Sequence, residues 1–224
     1  VYTNVTRQAR MTTEGYGLGV NICDLNRDGY KDIYVTNDFV SNDLLWINNG
    51  DGTFTDRAAE HFKHLSNSAM GNDVADLNND GLADVVVLDM MPGLNGRKKQ
   101  LVGPNAYQNY QNSLLYGYMF EYPRNTVQLN MGVPAGGRER GAGGERPAFS
   151  EIGLLAGVAQ TDWSWSPLVA DFDHDGFRDL IVTNGFPKDI TDRDFMMFRM
   201  ESGSVASKSM LLEQIPVVKL HNYA

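Results

Sequence analysis

The stretch DLNRDGYKD at residues 24–32 decides the fold, because it returns as DLNNDGLAD at 76–84 and as DFDHDGFRD at 171–179. Each copy carries an oxygen-bearing side chain at its first, third, fifth and ninth positions and a glycine at its sixth. Asp and Asn at alternating positions let a chain wrap a hard cation, which takes about six to eight oxygen ligands, and glycine permits the sharp turn. The seventh residue is apolar or aromatic, as expected where only a backbone carbonyl is offered. The candidate ligands are therefore Asp24, Asn26, Asp28, Tyr30 and Asp32; Asp76, Asn78, Asp80, Leu82 and Asp84; and Asp171, Asp173, Asp175, Phe177 and Asp179. About three Ca2+ ions are expected, since Mg2+ demands a strict octahedron and keeps its waters. A single copy could equally be an Asx-rich turn; repetition in one register argues for the metal. Paired catalytic carboxylates would need one acid in an apolar pocket, whereas these acids share a loop.

An EF-hand would continue to a Glu at position 12. Here that position is Val35, Val87 and Val182, inside the runs IYVT, VVVL and LIVT. Such β-branched runs are strand-like, so each loop lies between two strands.

The loops start 52 and 95 residues apart. The second unit is the first with insertions of 30 and 13 residues. The register extends back to Tyr2, which matches Phe54 and Phe149. Each unit reads as four short strands: one entering the loop (20–23, 73–75, 168–170), one leaving it, a third (44–47, 126–129) and a fourth from the Phe/Tyr position. Four strands at a period near fifty residues predict β-propeller blades. A β-sandwich is the alternative, but its strands are not copies of one another. The expected fold is all-β: a partial propeller of about three four-stranded blades, with helical or loop insertions on one face. Units fall at about 1–56, 57–151 and 152–224, with insertions at 93–124, 132–147 and 188–218. Starting on a fourth-strand match and ending near a third strand, the chain reads as a segment of a longer protein.

The three loops, with NNGDGTFTD at 48–56 between them, resemble FG-GAP/VCBS-type repeats, the calcium-binding propeller blades also found in integrin α-subunits. SAMGNDVAD at 68–76, LDMMP at 88–92 and TDWSW at 161–165 resemble bacterial repeat proteins related to cartilage acidic protein, which often carry an ASPIC/UnbV module. The resemblance implies a structural, non-enzymatic blade in a secreted or cell-surface protein (extracellular, periplasmic or on a bacterial outer membrane), with a scaffold or adhesion role. Alternatives are a carbohydrate-binding, lectin-like propeller and a catalytic propeller of hydrolase or lyase type.

The net charge of −9 would fall to −3 with three divalent ions bound, so much of the acidity is ligand charge. Without a basic stripe, nucleic acid and anionic membrane are poor partners. No apolar run reaches the length of a membrane-spanning helix, and the N-terminus shows no signal-peptide pattern. The oligomeric state stays open. Cys23 reads as a small core residue. The basic run Arg97, Lys98 and Lys99 reads as a solvated loop.

The insertions at 93–124 and 188–218 leave equivalent positions, so they should decorate one rim, where a protein or glycan ligand could bind. Tyr107, Tyr110, Leu114 and Tyr118 fall at helical steps, and 194–200 and 210–215 also look helical. The Gly- and Arg-rich stretch 132–147 reads as a loop. Trp163 and Trp165 match Tyr16 and Leu18, and Ser68 and Met70, and are expected as core or face-lining residues before serving as sugar platforms. Asn37, Asp89 and Asn184 repeat at the end of the second strand. His61 and His64 lack an evident third metal ligand and read as an exposed pair.

Overall fold

A computed structural model describes residues 2–39, 41–101, 107–134, 147–186 and 188–224. Each loop is flanked by the two strands its β-branched residues demand. In the first unit β1 (Gly17–Cys23), β2 (Asp32–Asn37), β3 (Leu44–Asn48) and β4 (Phe54–Asp56) form an antiparallel sheet in sequence order. A short helix α1 (Ala58–His61) and β5 (Leu65–Ser66) lead to the second unit. There β6 (Asn72–Ala75) and β7 (Asp84–Val87) are followed by an excursion through β8 (Met90–Met91), α2 (Asn95–Gln100), α3 (Tyr107–Leu115) and β9 (Glu121–Tyr122). The sheet then resumes with β10 (Thr126–Asn130) and β11 (Phe149–Glu151), giving the same neighbour order as the first. The third unit has β12 (Asp162–Ala170) and β13 (Asp179–Asn184), followed by α4 (Arg193–Ser202) and α5 (Lys208–Gln214).

The fold is mostly β, with successive antiparallel sheets as in propeller blades. Two expectations need correction. The third sheet has two strands of its own rather than four, plus a single antiparallel bridge between Val182 and Tyr223. That bridge matches the pairing of Val35 with Leu44 and of Val87 with Thr126, so Tyr223 stands where a third strand would begin. Residues 2–4 form no strand, and Tyr2 is fully exposed; the described part of the chain offers them no third strand to pair with. The sheets do not close a ring among the described residues, in keeping with a partial set of blades. Most of the expected 132–147 loop lies outside the described residues.

The alternating strand pattern puts apolar side chains on both faces of each sheet, so sheets stack face to face. Tyr34, Leu45 and Ile47 of the first sheet meet Val85, Val87 and Phe149 of the second in one core cluster. Val86, Leu88 and Val127, on the opposite face of the second sheet, meet Val182, Val169 and Leu180 of the third. Each fully buried Val is worth about 1.5–3 kcal/mol relative to exposure. The first strands of the sheets lie side by side. The Asn21 amide donates to the Asn72 carbonyl at 3.3 Å, and Val169 N–H donates to Asp73 Oδ2 at 2.8 Å. Cys23 is half-buried against the first cluster, and burial pushes its thiol up to about 12.

The excursion is stitched to the scaffold. β8 pairs with the start of β12 (Met90 opposite Trp163), joining the second unit to the third. β9 runs parallel to β5, with Leu65 opposite Glu121. No helix among the described residues is long and apolar enough to cross a membrane.

Candidate metal centres

The three loops share one backbone course. Position 4 is left-handed in each: Arg27 at φ 59°, Asn79 at 60° and His174 at 64°. The position-6 glycines follow at 90°, 84° and 92°. A Cβ on any of these glycines would meet nothing within 4 Å, so the positive φ and not space selects glycine.

The acids hold this course by local hydrogen bonds. In the first loop Asp24 accepts the N–H of Asp28 (3.1 Å) and of Gly29 (2.9 Å), and Asp28 accepts that of Tyr30 (2.8 Å). The second loop repeats this with Asp76, Asp80, Gly81 and Leu82, and the third with Asp171, Asp175, Gly176 and Phe177. Asn26 Oδ1, Asn78 Oδ1 and Asp173 Oδ1 each accept the position-5 N–H at 3.1–3.2 Å. These bonds occupy one lone pair per oxygen and leave the others for a cation.

The ninth-position acid has a further job. Asp32 Oδ2 accepts Leu25 N–H and its Oδ1 accepts Asn48 N–H, both at 2.9 Å. Asp84 does the same to Leu77 and Asn130, both at 2.8 Å. Asp179 Oδ2 accepts Phe172 N–H at 2.9 Å. Asp32 and Asp84 are wholly buried. Burial raises both carboxyls above the ordinary range; their two N–H partners oppose the rise, and the neighbouring loop acids add to it. Ionised, such groups call for a nearby positive charge.

In the third loop carboxylate oxygens of Asp171, Asp173 and Asp179 lie within 4.8 Å of one another. One cation with oxygen contacts of about 2.3–2.6 Å spans that distance. In the first two loops an amide replaces the third-position carboxylate. Every side-chain donor is oxygen, which fits a hard cation and not a thiophilic metal. The loops are close neighbours: the Asn79 amide of the second donates to Gly176 O of the third at 2.8 Å.

The opposite end of the sheets has its own repeat, which sequence spacing only half exposed. Asn37, Asp89 and Asn184 each donate their N–H to the residue just before the third strand: Asp43 (2.9 Å), Asn125 (2.7 Å) and Asn222 (2.8 Å). Asn37 and Asn184 also send their side-chain amides to the carbonyls of Asn42 and His221. The signal was an Asp or Asn before each third strand, hidden by the differing insert lengths.

The basic run does not form a solvated loop. Arg97 Nε donates to Asp162 at 2.9 Å and its Nη1 to buried Asp189 at 2.5 Å; Lys98 bonds Gln160, and Lys99 is exposed. Arg193 Nε also reaches Leu101 O at 3.0 Å, and Leu101 bridges Asp192, so the two long insertions touch. The histidines are not an exposed pair. His61 is buried, with its Nδ1–H donating to Pro147 O at 3.0 Å. His64 Nε2 sits beside Glu151 (3.2 Å) and Arg124 (3.1 Å). Trp163 is half-buried against the Phe186 ring at 4.6 Å, while Trp165 is exposed and donates to Gly185 O at 2.7 Å. The helix predicted from Tyr107 stops at Leu115; Gly117, at φ 86°, turns the chain before Tyr118.

No curated protein matches the chain. Residues 11–87 match the FG-GAP-like repeat family and residues 163–193 the FG-GAP repeat family. The first match spans the first two loops and the second spans the third. All three loops thus lie within segments that match FG-GAP-type repeats.

Proposed function

We propose that this chain is a non-enzymatic, calcium-binding β-propeller module of a secreted or cell-surface protein, acting in adhesion or ligand binding. The convergence of Asp171, Asp173 and Asp179 within 4.8 Å is the observation that carries the calcium reading. The matching hydrogen bonds of the other two loops extend it to three ions. Asp24, Asn26, Asp28 and Asp32, with their counterparts in the second and third loops, would hold the metal. Tyr30, Leu82 and Phe177 would contribute carbonyls. Calcium would supply the positive charge that clustered carboxylates otherwise lack, pinning the first hairpin of each unit. The matched repeat families are generally non-catalytic, which supports a binding role. The inserted rim, with Tyr107 and Tyr116 exposed, is the surface offered to a protein or glycan ligand.

Thermal unfolding in EDTA and in millimolar calcium tests this reading, with calorimetric titration of the chelated protein. The expected result is a higher midpoint with calcium and saturable binding near three ions per chain. Equal midpoints and no binding heat would overturn it.

A further inference from the structure

An Asn-Gly step is open to spontaneous loss of ammonia, because glycine has no Cβ to hinder attack of its main-chain nitrogen on the preceding side-chain amide. The chain holds three such steps: Asn49-Gly50, Asn95-Gly96 and Asn184-Gly185. The attack needs two freedoms. The asparagine side chain must swing back over its own main chain, and the glycine nitrogen must not be held in a hydrogen bond.

Two of the three steps are held at both points. Asn49 Nδ2 donates to Thr53 Oγ1 (2.9 Å) and Thr55 Oγ1 (3.1 Å), and Gly50 N–H donates to Asn48 Oδ1 (2.9 Å). Asn184 Nδ2 donates to His221 O at 2.7 Å, and its Oδ1 accepts the Ser164 hydroxyl at 2.8 Å. Gly185 N–H donates to Trp163 O at 3.4 Å. Asn95 differs. It is exposed and makes no side-chain hydrogen bond among the described residues, and Gly96 N–H makes none either. Position is the reason: both residues stand in the first turn of α2, where main-chain N–H groups have no partner within the helix. This end is also loosely held. Its N-cap, Leu94, offers no side-chain bond, and no residue of α2 is buried. Opening so short and exposed an end costs little.

We propose that Asn95 is a site of spontaneous deamidation in the folded protein, and that the fold protects Asn49 and Asn184. Gly96 N bonds to Asn95 Cγ as the Cγ–Nδ2 bond breaks, and the proton from Gly96 N leaves with the departing group as ammonia. Water then opens the cyclic imide at either carbonyl, giving aspartate or isoaspartate. No oxidant or enzyme is required. The product sets a new carboxylate, and in the iso form an extra main-chain methylene, two residues before Arg97, which ties α2 to Asp162 and Asp189. The modification therefore acts on the junction between the second and third units. This inference does not depend on the calcium reading.

Incubation of the whole chain at mildly alkaline pH and fixed calcium, followed by peptide mapping at mildly acidic pH, tests it. Mass spectrometry reads the gain that accompanies conversion of an amide to an acid, and an isoaspartyl methyltransferase assay reads the iso form. Asn95 should convert at least about tenfold faster than Asn49 or Asn184, since each protected step must first break two or more hydrogen bonds. In urea, where those bonds are gone, the three rates should converge. Gly96→Ala should fold, because a Cβ there meets nothing within 4 Å and alanine favours the helix, and it should slow conversion at Asn95 at least about tenfold. Asn49 or Asn184 converting as fast as Asn95 in the folded chain, an Asn95 that stays intact while the urea-unfolded chain converts, or a rate indifferent to Gly96→Ala would overturn the proposal.

Discussion

Asp84 Oδ1 accepts the main-chain N–H of Asn130 at 2.8 Å across 46 residues, and Asp32 makes the same bond to Asn48 across 16. The long insertion changes the chain distance and leaves the bond intact. The ninth-position acid is thus a tie between loop and third strand as well as a candidate ligand. Replacing it should cost stability even without metal. Asp84→Ala strands two donors, and each buried unsatisfied donor costs about 1–3 kcal/mol. Asp80→Ala removes an exposed side chain and should cost far less in EDTA, while weakening calcium binding comparably. Urea unfolding of both variants in EDTA checks the contrast.

Three buried acids, Asp43, Asp89 and Glu121, meet between the first two sheets and β9, and no ion pair joins them to a base among the described residues. Desolvation raises Asp43 to about 7, against hydrogen bonds from Asn37 N–H and the Tyr34 hydroxyl and with the Asp89 charge adding to it. Burial raises Asp89 to about 6 and Glu121 to about 8, the latter also through the charges of Asp43 and Asp89. All three lie above the ordinary carboxylate value near 4, so the folded chain holds more protons than the unfolded one over this range. Their contribution is full below about pH 4 and is lost as the pH rises through about 6, 7 and 8. Unfolding free energy in EDTA should therefore fall between pH 5 and pH 8. Glu121→Gln should flatten the upper part of that curve, because an amide at this place does not titrate.

Arg97 neutralises the corresponding junction between the second and third sheets. Arg97→Ala would leave the buried Asp189 carboxylate, now held below its usual value by the guanidinium and by Thr191, without its cation. Breaking one side of a buried pair costs about 3–5 kcal/mol. Amide exchange should speed up in α2 and in 189–193 together, since Arg97 joins them. Exchange confined to α2 would contradict that link.

Gly176→Ala tests the loop backbone apart from its charges. Space is open around its Cβ, so the cost is only that of holding Ala at φ 92°, about 1–2 kcal/mol. Calcium affinity should drop at this loop while the other two still titrate.

What the sequence by itself determined was the part built from short-range bonds. The loops are legible because Asp24, Asp76 and Asp171 hydrogen-bond residues only four or five positions away, so nine residues carry the whole pattern. The strands beside them follow from β-branched runs, and the unit period from counting between copies. The rest depended on partners distant in sequence, and the insertions have no second copy against which to register them. No local pattern distinguishes Arg97, bonded to Asp162 and Asp189 across 65 and 92 residues, from an arginine in solvent. His61 and His64 stand three residues apart, yet one is buried against Pro147 and the other beside Glu151. Only the tertiary structure could show that β8 crosses to β12, that β9 clips to β5, and that three acids share one buried junction. Burial and pairing are properties of whichever surfaces meet, and the stacking of sheets decides that.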